Sequence, residues 1–274
     1  MRPRQWVKNG FVLAPLVFAA KFRAPHALAL SMLALGLFCL AASACYIVND
    51  LFDLEQDRRH PHKSLHHPLA AGSVTRAQAL CLLAVLYTLL AVAGWYAPAL
   101  MLVILAYLLL NLAYTLVLKH QPVLDIFTIA IGFVLRVYAG ARALAVPVSA
   151  WMFVTTLCLA LYLAAVKRRQ ELRHCGSESR LVLARYSEAL VERYAEMAAT
   201  GALVFYSMFV MAARPQLVLT VPLVLFGLFR YWYVVDELEL GESPTDVLLT
   251  DGQLLVTLTL WAASCVWVLW PVAN

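Results

Sequence analysis

"HALALSMLALGLFCLAASACYIVNDLFDLEQD", residues 26 to 57, begins as an uninterrupted apolar run and ends in Asn49, Asp50, Asp53 and Asp57. An apolar run of this length is enough to cross a bilayer core, which takes about 20 residues of helix. Carboxylates at the end of such a run are costly to bury unless something pairs with them. The segment therefore poses two questions together: what surrounds the apolar half, and what the acidic half holds.

The rest of the chain answers the first. Of its 274 residues, 63% are hydrophobic and only 14% charged, where a soluble domain carries about a quarter charged residues. Apolar segments recur near 9–20, 26–50, 77–95, 98–118, 123–145, 148–166, 195–213, 216–235 and 253–271. The sequence predicts about nine spans, the first short and tilted or interfacial, in an all-α polytopic transmembrane helical bundle. No stretch remains for a soluble domain, so residues 1–274 read as one integral membrane domain. The basic start, MRPRQWVKNG, lacks the long apolar core and small-residue cleavage pattern of a signal peptide. The six cysteines show no CxxC pair and no metal spacing; most sit in apolar spans, where a thiol is a small hydrophobe.

Charge sets the topology. With nine spans, one side of the membrane holds sixteen of the 21 Lys and Arg residues. The positive-inside rule makes that side cytoplasmic. The expectation is a multi-pass protein of the cell (inner) membrane, with the N-terminus and active site cytoplasmic and the C-terminus outside. The net charge of +5 reflects this bias and the lipid bilayer's anionic headgroups. No basic recognition helix or stacking platform accompanies it, so nucleic acid is not an expected partner. All 16 acids lie at or near the cytoplasmic side, from Asp50 to Asp251, which suggests a charged chamber there. Homo-oligomer formation is left open.

The aspartates answer the second question. Asp50, Asp53 and Asp57 are spaced i, i+3, i+7, and Asn49, Asp53 and Asp57 i, i+4, i+8, so both sets share a helical face. Crowded carboxylates repel one another, and a hard divalent cation relieves that repulsion. Mg²⁺ takes oxygen ligands and is commonly shared between one or two carboxylates and substrate phosphates. The plainer reading is a solvated helix end whose acids pair with Arg58, Arg59 and Lys63. His60, His62, His66 and His67 follow in a loop without fixed ligand geometry, so a histidine metal site is not expected.

N-D-x-x-D-x-x-x-D, followed by D-R-x-H-P-x-K and P-L-A-x-G, resembles the first aspartate-rich motif of the UbiA superfamily of intramembrane prenyltransferases. Residues 2–9 (RPRQWVKN), Lys167 to Leu172 (KRRQEL), 124–143 (LDIFTIAIGFVLRVYAGARA) and the blocks between Phe229 and Asp251 are similar to its decaprenyl-phosphate phosphoribosyltransferase branch. The resemblance covers nearly the whole chain. His67 stands before Pro68 where that pattern carries an Arg, and the proline is one residue farther from Lys63. Most of the superfamily has a second D-x-x-x-D, yet this chain has no aspartate between 126 and 235. Lys167, Arg168, Glu171 and Tyr186 occur there instead, with Glu188, Glu192 and Glu196 read as a surface helix with i, i+4 spacing.

The resemblance implies transfer of a 5-phosphoribosyl group from phosphoribosyl diphosphate (PRPP) to a long polyprenyl phosphate. Asp50, Asp53 and Asp57, with Asn49, would hold Mg²⁺ on the donor diphosphate. Lys63, Lys167 and Arg168 would contact phosphate, and Lys8 would assist from the N-terminal segment. Tyr186 or Arg136 would orient ribose or the acceptor phosphate. An intramembrane Arg136 usually faces the bundle interior. It lies eleven residues, about three turns, from Asp125, so the two are expected to have separate partners. The alternatives are a prenyltransferase moving an allylic chain to an aromatic acceptor, which the missing second motif argues against, and a non-catalytic lipid or ion transporter.

Overall fold

The structure, a computed structural model, describes residues 3–59, 68–175, 182–237, 247–248 and 250–273. The helices are α1 (Ala14–Phe18), α2 (Pro25–Phe52), α3 (Leu54–Arg59), α4 (Arg76–Tyr96), α5 (Pro98–Leu116), α6 (Leu124–Ala143), α7 (Ala150–Cys175), α8 (Glu188–Ala213), α9 (Val221–Asp236) and α10 (Gly252–Leu269). Proline opens α2 and α5 at positions where its missing N–H costs nothing. Thr75 and Gln78 form a capping box at the start of α4. Among the described residues, eight helical segments are long and apolar enough to cross a membrane. Lys167 to Arg173, read from sequence as the start of a loop, continue α7 as helix.

The first expected span takes another form. Pro3–Leu13 is a 3-10 helix that leads into the short α1. At about 2.0 Å per residue in the 3-10 part, Pro3–Phe18 still reaches roughly 30 Å. Side chains three apart eclipse in this geometry, and burial divides into three ridges accordingly. Asn9, Val12 and Pro15 are buried, on the ridge that starts at Trp6. Gln5, Lys8 and Phe11 are half-buried, and Val7 and Gly10 are exposed. Polar contacts fix the buried ridge: Trp6 Nε1 donates to Ser43 Oγ at 3.2 Å and Asn9 Nδ2 to Cys39 Sγ at 3.2 Å. Gly140 is required where this segment crosses α6, because a Cβ there would stand 1.9 Å from the Val12 carbonyl oxygen.

The helices follow one another in a ring, α2, α5, α6, α7, α8, α9 and α10, with α4 packed outside α2. The N-terminal segment closes it by contacting α2, α6 and α10. In the α7–α8 pair, Ala195, Ala198 and Ala199 share a buried cluster with Ala164 and Ala165. Small residues let backbones approach closely where lipid gives no hydrophobic drive. α6 is the most enclosed span, 67% buried, against 17% for α4 and α10. It is also the span that carries Asp125 and Arg136.

Candidate active site

α2 ends at Phe52, and Asp53 forms a bend rather than a break. Its N–H still reaches the Asn49 carbonyl at 2.9 Å, and the Asp57 N–H reaches the Asp53 carbonyl at 2.8 Å. This near-continuous ladder keeps Asn49, Asp53 and Asp57 along one side. Asn49, Asp50 and Asp53 are half-buried, while Asp57 is 3% exposed. Thr115, at the end of α5, donates to Asn49 Oδ1 at 3.4 Å. Pro68–Gly72 turns back toward α4 with Gly72 in the left-handed region at φ 74°. Lys63 and the four histidines between 60 and 67 lie outside the described residues.

One cation that touches the motif was not singled out from sequence. Lys119, on the 3-10 turn Leu118–His120 after α5, places Nζ 2.6 Å from Asp53 Oδ1. Its only signal was that it is the sole charge in the four-residue loop 119–122. After that turn Val123 is left-handed at φ 69°, a strained conformation for a β-branched residue. Its N–H donates to the Tyr186 hydroxyl at 2.5 Å, and that hydroxyl donates to Asp125 Oδ1 at 2.7 Å. Burial holds the Tyr186 phenol above its ordinary ionisation range, so it remains a donor.

Arg168 completes this network from α7. Its Nε donates to Asp125 Oδ2 at 2.6 Å, Nη1 to Glu171 at 2.5 Å and Nη2 to the Tyr114 hydroxyl at 3.0 Å. The Arg168 and Asp125 side chains are 1% and 0% exposed. Lys167, one residue earlier, has a side chain 34% exposed and lies 3.8 Å from Glu171. Two neighbours expected to share one role thus occupy different settings, Arg168 within a buried ion pair and Lys167 partly exposed.

Farther around α7, Arg169 pairs with Asp236 at 2.8 Å, Glu192 at 3.5 Å and Glu188 at 3.6 Å. Arg173 also bonds Glu188 and Asp236. Glu188 and Glu192, two of the three glutamates expected on a surface helix, therefore tie α8 to α7, with Asp236 bringing in α9. Arg230 Nη2 meets Asp251 Oδ2 at 2.7 Å and Nε meets Oδ1 at 3.2 Å, joining α9 to the start of α10.

Arg136 does not join these residues. It lies eleven residues, about 16 Å, along α6 from Asp125, and it is 5% exposed. Nε donates to Asn9 Oδ1 at 2.9 Å, Nη1 to the Gly132 carbonyl at 2.8 Å and Nη2 to the Tyr107 hydroxyl at 3.0 Å. Phe38, Tyr107 and Phe133 present their rings to the guanidinium. Arg136 and Asp125 have separate partners, as their spacing predicts. Lys8 follows the Trp6 contact and adjoins Asn9, so the same segment sets its place.

The donor set at the motif suits a cation that prefers oxygen. Among the described residues, no three His, Cys, Asp or Glu side chains converge on one point. Mg²⁺ accepts carboxylates one or two at a time when phosphate and water complete its shell.

A model of the UbiA prenyltransferase family matches residues 10–245. The chain belongs to the UbiA prenyltransferase family. This UbiA member is 32% identical to the decaprenyl-phosphate phosphoribosyltransferase of Mycolicibacterium smegmatis, over 95% of this chain and 88% of the relative. It is 34% identical to the protein of the same name from Mycobacterium tuberculosis (strain H37Rv), over 96% and 91%. Its fold matches that of a UbiA homolog from Archaeoglobus fulgidus bound to GPP and Mg²⁺, with a TM-score of 0.75 at 18% identity, over 98% of this chain and 97% of that one. The aspartate segment, Lys119, Asp125 and Arg168 all fall within the matched range.

Proposed function

We propose that this UbiA member transfers the 5-phosphoribosyl group of PRPP to the phosphate of a long-chain polyprenyl phosphate and releases diphosphate. The observation that carries the reading is what stands where a second aspartate motif would be. From 126 to 235 there is no aspartate, and Lys167, one residue before the buried Arg168–Asp125 pair, keeps a third of its side chain exposed. A site for one metal-bound diphosphate and a second, cation-held phosphate fits those residues better than a site with two metal-binding aspartate motifs. Near-full-length similarity to two decaprenyl-phosphate phosphoribosyltransferases supports the same substrates.

The reaction forms a bond from a lipid phosphate oxygen to C1 of ribose and breaks the bond from C1 to the diphosphate oxygen. The acceptor is already anionic at neutral pH, so no strong general base is needed. Bound Mg²⁺ would neutralise charge growing on the leaving diphosphate, held by Asn49, Asp50, Asp53 and Asp57. Lys119 sits where it can pass from Asp53 to a diphosphate oxygen. Lys167, Lys8 and Lys63 are assigned to phosphate contacts, since preorganised cations aimed at developing charge stabilise the transition state. Arg168 and Tyr186 act through Asp125 as positioning residues that fix the loop carrying Lys119. Arg136 is assigned to holding the N-terminal segment through Asn9.

The lipid tail needs an apolar path beginning near Asp125. Leu124, Phe127, Ile131 and Tyr138 are exposed on one stripe of the otherwise enclosed α6 and supply such a path. In this reading the site opens to the cytoplasm, the side that the positive-inside rule assigns to these loops.

Purified protein, offered PRPP or an allylic diphosphate with polyprenyl phosphate or an aromatic acid, tests the proposal by mass spectrometry of the lipid products. The expected result is phosphoribosyl lipid from PRPP and polyprenyl phosphate alone, lost with EDTA. An allylic chain on the aromatic acid would replace this reading with aromatic prenyl transfer.

A further inference from the structure

At the opposite end of the bundle from Asp53 lies a cavity of about 430 Å³, lined by residues of α1, α6, α7, α8 and the turns joining them. Its floor is apolar, with Phe18, Met152 and Phe209, and its lip carries two cations, Lys21 and Arg214. Neither cation has a carboxylate partner among the described residues. Lys21 Nζ donates to the Leu144 carbonyl at 3.4 Å, and Arg214 Nε donates to the Phe18 carbonyl at 3.1 Å. These bonds anchor the two side chains by neutral groups and leave both charges uncompensated. The Arg214 Nη groups have no hydrogen-bond acceptor among the described residues.

The surrounding charge sharpens the point. Arg23 and Arg142 also belong to this end, and the segments forming it, 13–30, 138–156, 207–224 and 265–273, contain no Asp or Glu. Among the described residues, the acids belong to the other part of each helix or to the other end. No carboxylate side chain among the described residues supplies a counterion here.

The turns that shape the lip are also specific. α1 and α6 both end with a residue in the left-handed region, Ala20 at φ 54° and Ala145 at φ 50°. In each, the following N–H reaches back five residues, Lys21 to the Leu16 carbonyl at 3.0 Å and Val146 to the Ala141 carbonyl at 3.0 Å. This is the Schellman ending, and the Lys21–Leu144 bond fastens the first turn to the second.

We propose that this cavity binds the phosphate of an anionic phospholipid from the adjacent leaflet, held between Lys21 and Arg214 with an acyl chain over Phe18, Met152 and Phe209. A guanidinium with donors to spare beside an ammonium matches a phosphodiester, and the apolar floor distinguishes a lipid from soluble phosphate. The site is separate from the aspartate motif and independent of the reaction assigned to it.

The test uses the full chain in nanodiscs of phosphatidylcholine containing a minority of phosphatidylglycerol, followed by detergent extraction and mass spectrometry of retained lipid. The wild type should retain phosphatidylglycerol above its bulk share. Lys21→Gln with Arg214→Gln should lower that retention roughly 25-fold, at roughly fivefold per cation near an anionic headgroup. Lys21→Arg with Arg214→Lys, which keeps both charges, should retain it, and thermal unfolding checks that both variants fold. Equal retention by wild type and the neutral pair would overturn the proposal, as would loss of lipid from the charge-keeping pair. Displacement of the lipid by added inorganic phosphate would assign the cavity to soluble phosphate instead.

Discussion

At the scale of single residues, Lys167 and Arg168 differ in setting and should differ in consequence. Arg168→Ala leaves Asp125 fully buried without its cation, and removing one partner of a buried pair costs about 3–5 kcal/mol. The expected outcome is a large fall in the melting midpoint, measurable by thermal unfolding in detergent. Lys167→Ala should leave melting near wild type and slow transfer about 30- to 1000-fold, the effect of losing one preorganised charge donor. Single-turnover kinetics with labelled PRPP measures it, and a rate within threefold of wild type would remove Lys167 from the site. Lys119→Ala should behave like Lys167→Ala, because its contact with Asp53 is partly exposed and contributes little to folding. Sequence gave the type and place of the acids, since carboxylates at the end of an apolar run have few uses. It did not reveal Lys119, whose partner is 66 residues away, or the left-handed backbone of Val123, which a β-branched residue does not advertise.

At the scale of elements, the pairing of α9 with α10 has a pH signature. The Arg230 hydrogen bonds, with help from the Leu254 N–H, hold the Asp251 carboxyl below its ordinary range against the opposing effect of burial. The charged form is thus favoured by folding. The stability it gives is complete above the unfolded value, about 3.9, and is lost as pH falls through the lowered native one. The melting midpoint of wild type should therefore decline below about pH 4 more steeply than that of Asp251→Asn, which starts lower at neutral pH. Parallel acid limbs in a thermal unfolding series would show that this pair does not stabilise the fold. The apolar part of eight spans was readable, because apolar length is set by bilayer thickness, although α8 begins at Glu188, seven residues before the expected 195. The 3-10 form of Pro3–Leu13 was not, although its period of three is visible afterwards in Trp6, Asn9, Val12 and Pro15. The charged tail of α7 was read as loop because hydropathy marks where lipid ends, while the helix continues as Arg168, Arg169 and Arg173 find acids on neighbouring elements.

At the scale of the whole molecule, one asymmetry organises the account: acids and most cations gather at one end, and uncompensated cations remain at the other. The first half of that statement was legible from loop counts alone, and so was the family, whose motifs are local in sequence. Which charges touch was not, because the network through Asp53, Lys119, Tyr186, Asp125 and Arg168 draws on five separate segments. In the proposed reaction the lipid phosphate is the nucleophile and the diphosphate at the aspartates belongs to the sugar donor. Polyprenyl phosphate with ¹⁸O in its phosphate, reacted with unlabelled PRPP and Mg²⁺, tests it most directly by mass spectrometry of both products. All the label should remain in the phosphoribosyl lipid and none should appear in released diphosphate. Label released from the lipid as free phosphate, with the prenyl chain transferred elsewhere, would contradict the account.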